Sequence, residues 1–143
     1  MSAIAFTVRN IHIDPPGLKI EDARQALVNI DGAVELAIDG TVVFAEEINF
    51  PELRDQLNRW KRAGYAGDFS FDSMDFEETG IVRFERRGEG FVFASCFQKV
   101  PSEAVLDGAA VDAFVSAFDT FCTEALTGEL GLDLAALFKD LRP

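Results

Sequence analysis

Residues 69–97, FSFDSMDFEETGIVRFERRGEGFVFASCF, constrain this chain more than any other stretch. Three short runs alternate apolar and polar residues, separated by Glu78-Thr79-Gly80 and by Arg86-Arg87-Gly88-Glu89-Gly90. Alternation of period two, rich in Phe, Val and Ile and punctuated by Gly, is the mark of adjacent antiparallel strands. Phe69 and Phe71, Val82 and Phe84, and Phe91, Phe93 and Phe97 then share one face. So many rings on one side require a cover, and helical patterns stand before and after them.

Upstream, residues 3–13 alternate and predict a strand, ended by Asp14-Pro15-Pro16-Gly17, where two prolines each remove a backbone donor. Residues 20–28 predict a short helix, with a strand starting near Ala26 as the alternative. Residues 33–38 and 41–48 alternate around Asp39-Gly40, a two-residue connection suited to a type I′ hairpin turn. Asp31-Gly32 is a second turn signal. Asn49-Phe50-Pro51-Glu52 opens a helix with Phe50, Leu53, Leu57 and Trp60 along one stripe and Arg59, Lys61 and Arg62 in its last turn. Residues 99–106 read as a connector. Asp107 caps a helix bearing Val111, Phe114, Val115, Phe118 and Cys122, which Gly128 and Gly131 stop; Asp133 caps a short last one. The expectation is one α+β domain over residues 1–143, a single antiparallel sheet of about six strands with helices packed on one face.

Chemistry-bearing motifs are scarce. His12 is the single histidine, which excludes a two-histidine metal motif and favours a surface role. Cys96 and Cys122 are not in metal-ligand spacing, and both read as small core residues, reduced in a cytosolic protein. Neighbouring acids such as Glu46-Glu47 point apart on a strand. No catalytic residue, metal ligand or cofactor is expected. The N-terminus lacks a signal-peptide pattern, and no segment approaches the roughly 18 apolar residues of a membrane span.

Charge is the distinctive property. The formal net charge is −12. Acids fill three blocks without Lys or Arg: 25–53, 63–82 and 100–138. Most cations fall in two clusters, 54–62 and 83–87. A surface of this sign repels nucleic acid and anionic membrane and attracts cationic partners. The expected docking surface is Asp68, Asp72, Asp75, Glu77 and Glu78, with Glu46 and Glu47 as neighbours.

The hairpin at Ile38-Asp39-Gly40, the Phe50-Pro51-Glu52-Leu53…Trp60 helix, the FSFDSMDFEE strand, two further strands and a closing helix make residues 30–127 resemble small acidic immunity proteins of bacterial toxin–immunity systems. That resemblance implies a non-catalytic, cytoplasmic inhibitor, monomeric or weakly dimeric, that neutralises a basic toxin enzyme. The alternative is a small-molecule binding protein or enzyme with a Phe-lined pocket, anchored by Trp60, Tyr65 and Arg83.

Overall fold

A computed structural model describes residues 2–73 and 76–137. Strand β1 (Ile4–Ile13) leads through helix α1 (Ala23–Asn29) to β2 (Ile30–Ile38) and β3 (Thr41–Ile48). Helix α2 (Phe50–Arg62) follows, then β4 (Phe69–Phe71), β5 (Val82–Arg87), β6 (Gly90–Ala94) and β7 (Val105–Leu106). Helices α3 (Gly108–Leu130) and α4 (Leu134–Leu137) close the described chain.

The strands form two antiparallel sheets, β1-β2-β3 and β4-β5-β6-β7, instead of the single sheet of about six that the alternation predicts. The physical reason lies in the aromatic residues of α3. Phe114 touches Phe6 of β1 at 5.9 Å between ring centroids and Phe84 of β5 at 5.8 Å. One helix thus inserts between the two ring-bearing faces and covers both. Helix α2 likewise contacts β2 and β4. The free edge of β3 does not extend into β4; the segment after β6 reaches it, Lys99 N–H donating to the Val43 carbonyl at 2.8 Å.

Local expectations hold better than the global one. The Asp39-Gly40 turn has φ of 50° and 83° at its two central residues, as type I′ demands. Asn49 caps α2, its Oδ1 accepting from Glu52 N–H at 3.0 Å, with Pro51 in the first turn. Asp107 caps α3, accepting from Ala110 N–H at 2.7 Å. Residues 20–28 contribute a helix, not a strand.

Four readings need correction. Asp31-Gly32 lies inside β2, because Gly32 packs against Val8 and Phe50 and no turn is made there. Residues 105–106 add a seventh strand, too short to show a period. Helix α3 runs through Gly128 and ends at Gly131, whose φ of 66° forms the left-handed cap. Cys96 is exposed, since β6 ends at Ala94 and the alternation stops with it; Cys122 is buried.

The interior is phenylalanine-rich, as expected. Trp60 stacks on Phe84 at 5.9 Å and meets Phe69, Phe91 and Tyr65 at 4.9–5.3 Å. Phe44, Phe50, Phe71, Phe84 and Phe118 are fully buried. No helix among the described residues is long and apolar enough to cross a membrane.

Candidate functional site

The three-stranded sheet has one buried and one open face. Along β2, Ile30, Gly32, Val34, Leu36 and Ile38 point inward, so Asp31, Ala33, Glu35 and Ala37 line the outer side. Residues directly opposite in an antiparallel ladder share a face. The outer rows are therefore Thr7, Glu35 and Ala45, then Arg9, Ala33 and Glu47. Alanines form a low floor between charged and polar walls. A shallow depression of about 270 Å³ results, lined by Thr7, Arg9, Ala33, Glu35, Ala45 and Glu47 among others.

The next row is set by a bulge. Arg9 pairs with Ala33 but His12 pairs with Asp31, so β1 carries one extra residue between them. Asn10, with φ of 55°, absorbs the irregularity. Without it Ile11 would stand opposite Asp31 on the outer face. The bulge re-aims the strand and presents His12 there instead, a common use of this device.

Glu47 on β3 completes the group. His12 Nε2 lies 3.2 Å from Glu47 Oε1, with the two side chains 44% and 59% exposed. The donor atoms of His12, Asp31 and Glu47 all fall within 4.8 Å of one another, a spacing that one shared ion can draw together. His12 Nδ1 sits 2.6 Å from the Asn10 carbonyl. A carbonyl only accepts, so Nδ1 carries the hydrogen and the ring orientation is held from behind. The hydrogen bond to the Asn10 carbonyl raises the His12 pKa above 6.5; desolvation opposes it, and the carboxylates of Glu47, Asp31 and Asp14 add smaller upward pulls. A second depression, of about 350 Å³, adjoins the cluster and is lined by Asp14, Val28, Asn29, Asp31, Glu47 and Phe76.

The acidic residues singled out from sequence are dispersed in role. Asp68 Oδ1 accepts from Arg86 N–H at 2.8 Å, and Asp72 Oδ1 accepts from Gly80 N–H at 2.7 Å, so both hold backbone in place. Glu77 and Glu78 are exposed on the loop after β4. Asp75 lies outside the described residues. Glu46 and Glu47 do point apart: Glu46 reaches Lys99 at 3.8 Å, and Glu47 reaches His12. The cationic cluster of α2 is largely engaged, Arg54 with Asp119 at 2.6 Å and Lys61 with Asp112 at 3.5 Å. Trp60 and Tyr65 pack on one another, and the Tyr65 hydroxyl donates to Asp112. Arg83 Nη1 donates to Glu85 at 3.3 Å. Trp60, Tyr65 and Arg83 line neither of the two depressions.

Sequence reasoning missed His12 and Asp31. The signal for them is a strand register, which is not visible until the β1 bulge is placed.

A family model described as a domain of unknown function, DUF7878, matches residues 4–129. The chain belongs to that family. The matched DUF7878 span runs from the first residue of β1 nearly to the end of α3, and so includes His12, Asp31 and Glu47. No curated protein and no solved structure matches this DUF7878 chain.

Proposed function

We propose that this protein binds a small molecule on the outer face of the three-stranded sheet, at the end where His12, Asp31 and Glu47 meet. One observation carries the reading: each of three strands supplies one polar group to the same point, between two depressions that share Glu47. Small-molecule sites are concave and orient their ligand with a few convergent polar groups. The Thr7 hydroxyl, the Arg9 guanidinium and the carboxylates of Glu35 and Glu47 offer both signs of charge. The ligand class this favours is a small polar molecule carrying an anionic group and hydrogen-bond donors. We read the site as one for binding and not for turnover, since it stands open to water.

The test is two-dimensional amide NMR of the labelled protein against a panel of small carboxylates, phosphates and amino acids. Shifts clustered on residues 7–12, 31–35 and 45–47 support the reading. Shifts confined to β4–β7 or α3, or none across the panel, overturn it.

A second reading keeps the immunity-type inhibitor of a basic toxin enzyme. It is favoured by Glu77 and Glu78, exposed on the loop whose Phe76 borders the same cluster. Reversing Asp68 or Asp72 would disturb backbone ties, so Glu77→Lys with Glu78→Lys is the cleaner probe. Unchanged affinity of this double variant for a captured basic protein would remove that surface.

A further inference from the structure

We infer that His12, Asp31 and Glu47 bind a divalent transition-metal ion of the zinc or manganese class. The inference deepens the small-molecule reading and rests on it for its purpose: the ion is the anchor for the ligand's anionic group.

Donor chemistry comes first. One imidazole nitrogen and two carboxylate oxygens converge within 4.8 Å of one another. Ligands to a shared ion at about 2.0–2.2 Å stand no more than roughly 4.4 Å apart, so a pair at the outer end of that span closes by a few tenths of an ångström. Half-exposed side chains such as His12 and Glu47 can move that far without disturbing the core. An imidazole donor selects transition metals over calcium and magnesium, while carboxylates admit manganese as well as zinc.

The tautomer comes second. With Nδ1 donating to the Asn10 carbonyl, the neutral ring directs the Nε2 lone pair toward Glu47 Oε1, 3.2 Å away. Two acceptors so close repel unless positive charge lies between them. A second ring proton meets that need, and so does a metal ion bound at Nε2. Metal-binding histidines commonly give their other N–H to a carbonyl, as the bulge at Asn10 arranges here.

Access comes third. Three protein ligands leave coordination positions open, as in zinc sites that take water or substrate. Here the two depressions adjoin those positions, and Arg9 stands across Ala33 from Glu47.

The experiment uses the full chain carrying Cys96→Ser, which removes an exposed thiol that competes for zinc. Titration with Mn²⁺ should broaden the amide signals around residues 12, 31 and 47 first, and calorimetry with Zn²⁺ should give one site per chain. His12→Ala, Asp31→Asn and Glu47→Gln should each weaken binding at least about tenfold, the scale on which even supporting partners of a metal site act. Glu124→Gln, on the exposed side of α3, should not. Broadening spread over the acidic surface, an equal loss with Glu124→Gln, tighter binding of Ca²⁺ than of either metal, or no saturable binding would each overturn the inference. The Mn²⁺ map of the unmutated cluster decides the matter even if a variant fails to fold. Absent metal binding with ligand shifts still on β1–β3 defeats this inference alone; absence of both defeats the small-molecule reading with it.

Discussion

His12 and Glu47 meet at 3.2 Å although β2 runs between their strands. They reach one another diagonally across β2, where His12 pairs with Asp31 and Glu47 pairs with the small Ala33. The contact therefore depends on the floor of the sheet as much as on its two charged ends.

Gly32 sits beneath this arrangement, next to Asp31. A Cβ there would come within 2.9 Å of Val8 Cγ1 and 3.0 Å of the Phe50 ring. Gly32→Ala should destabilise the fold by about 1–3 kcal/mol, the usual cost of overpacking. Thermal or urea unfolding measures it, and Ala33→Gly, on the open face, serves as the comparison. Equal losses at the two positions would show that close approach at Gly32 is unimportant.

Phe84 is fully buried and touches four other rings, Trp60, Phe69, Phe93 and Phe114. Phe84→Ala should cost about 3–5 kcal/mol. Because Phe114 joins Phe84 to Phe6, near-ultraviolet circular dichroism from Trp60 should weaken in Phe114→Ala also. A Phe84→Ala loss below about 1 kcal/mol would contradict this account of the core.

Asn49 is fully buried, and its side chain caps α2 while Nδ2 donates to the Ala26 carbonyl of α1 at 3.5 Å. Asn49→Ala should cost about 1–2 kcal/mol, toward the upper end for a cap. Asn49→Asp keeps the acceptor and loses the donor, so it should recover only part of the stability. Full recovery by Asp would mean the tie to Ala26 contributes nothing.

Tyr65 and Asp112 link the end of α2 to α3. The Tyr65 hydroxyl, helped by Lys61, holds the Asp112 carboxyl below its ordinary 3.8. A depressed carboxyl pKa adds stability that is present above pH 3.8 and is lost as pH falls through the folded value. Desolvation, then the hydrogen bond to Asp112, pushes the Tyr65 pKa well above 10; that contribution is full below pH 10 and fades above it. The stability gap between the native protein and Tyr65→Phe should thus be widest at intermediate pH and narrow at both extremes. A gap independent of pH from 2 to 11 would refute the coupling.

Much of the local structure was legible in residue order. The Asp39-Gly40 hairpin, the Asn49 and Asp107 caps and the Trp60 stripe rest on interactions within a few residues. Each was readable because its partners are neighbours in the chain. The candidate site was not, because its members are 12, 31 and 47 in the chain and meet only through strand register. Glu47 was singled out for its charge, in the company of Glu46, yet its partners in space are His12 and Asp31.

The acidic surface shows the same limit from the other side. Asp68 and Asp72 belong to a charge block in sequence, but their carboxylates hold the backbone of Arg86 and Gly80. A count of charges cannot tell a solvated carboxylate from one that satisfies a backbone N–H, because that depends on which loop lies opposite.

By itself the sequence determined six of the seven strands, the helices, the starts of α2 and α3 and the phenylalanine character of the interior, since period and turn chemistry act over a few residues. Only tertiary structure decided that the strands divide into two sheets, because Phe114 can cover Phe6 and Phe84 together only from between them. It also decided where polar groups converge. A single extra residue at the β1 bulge turns His12, and not Ile11, toward Asp31, and no local propensity encodes that displacement.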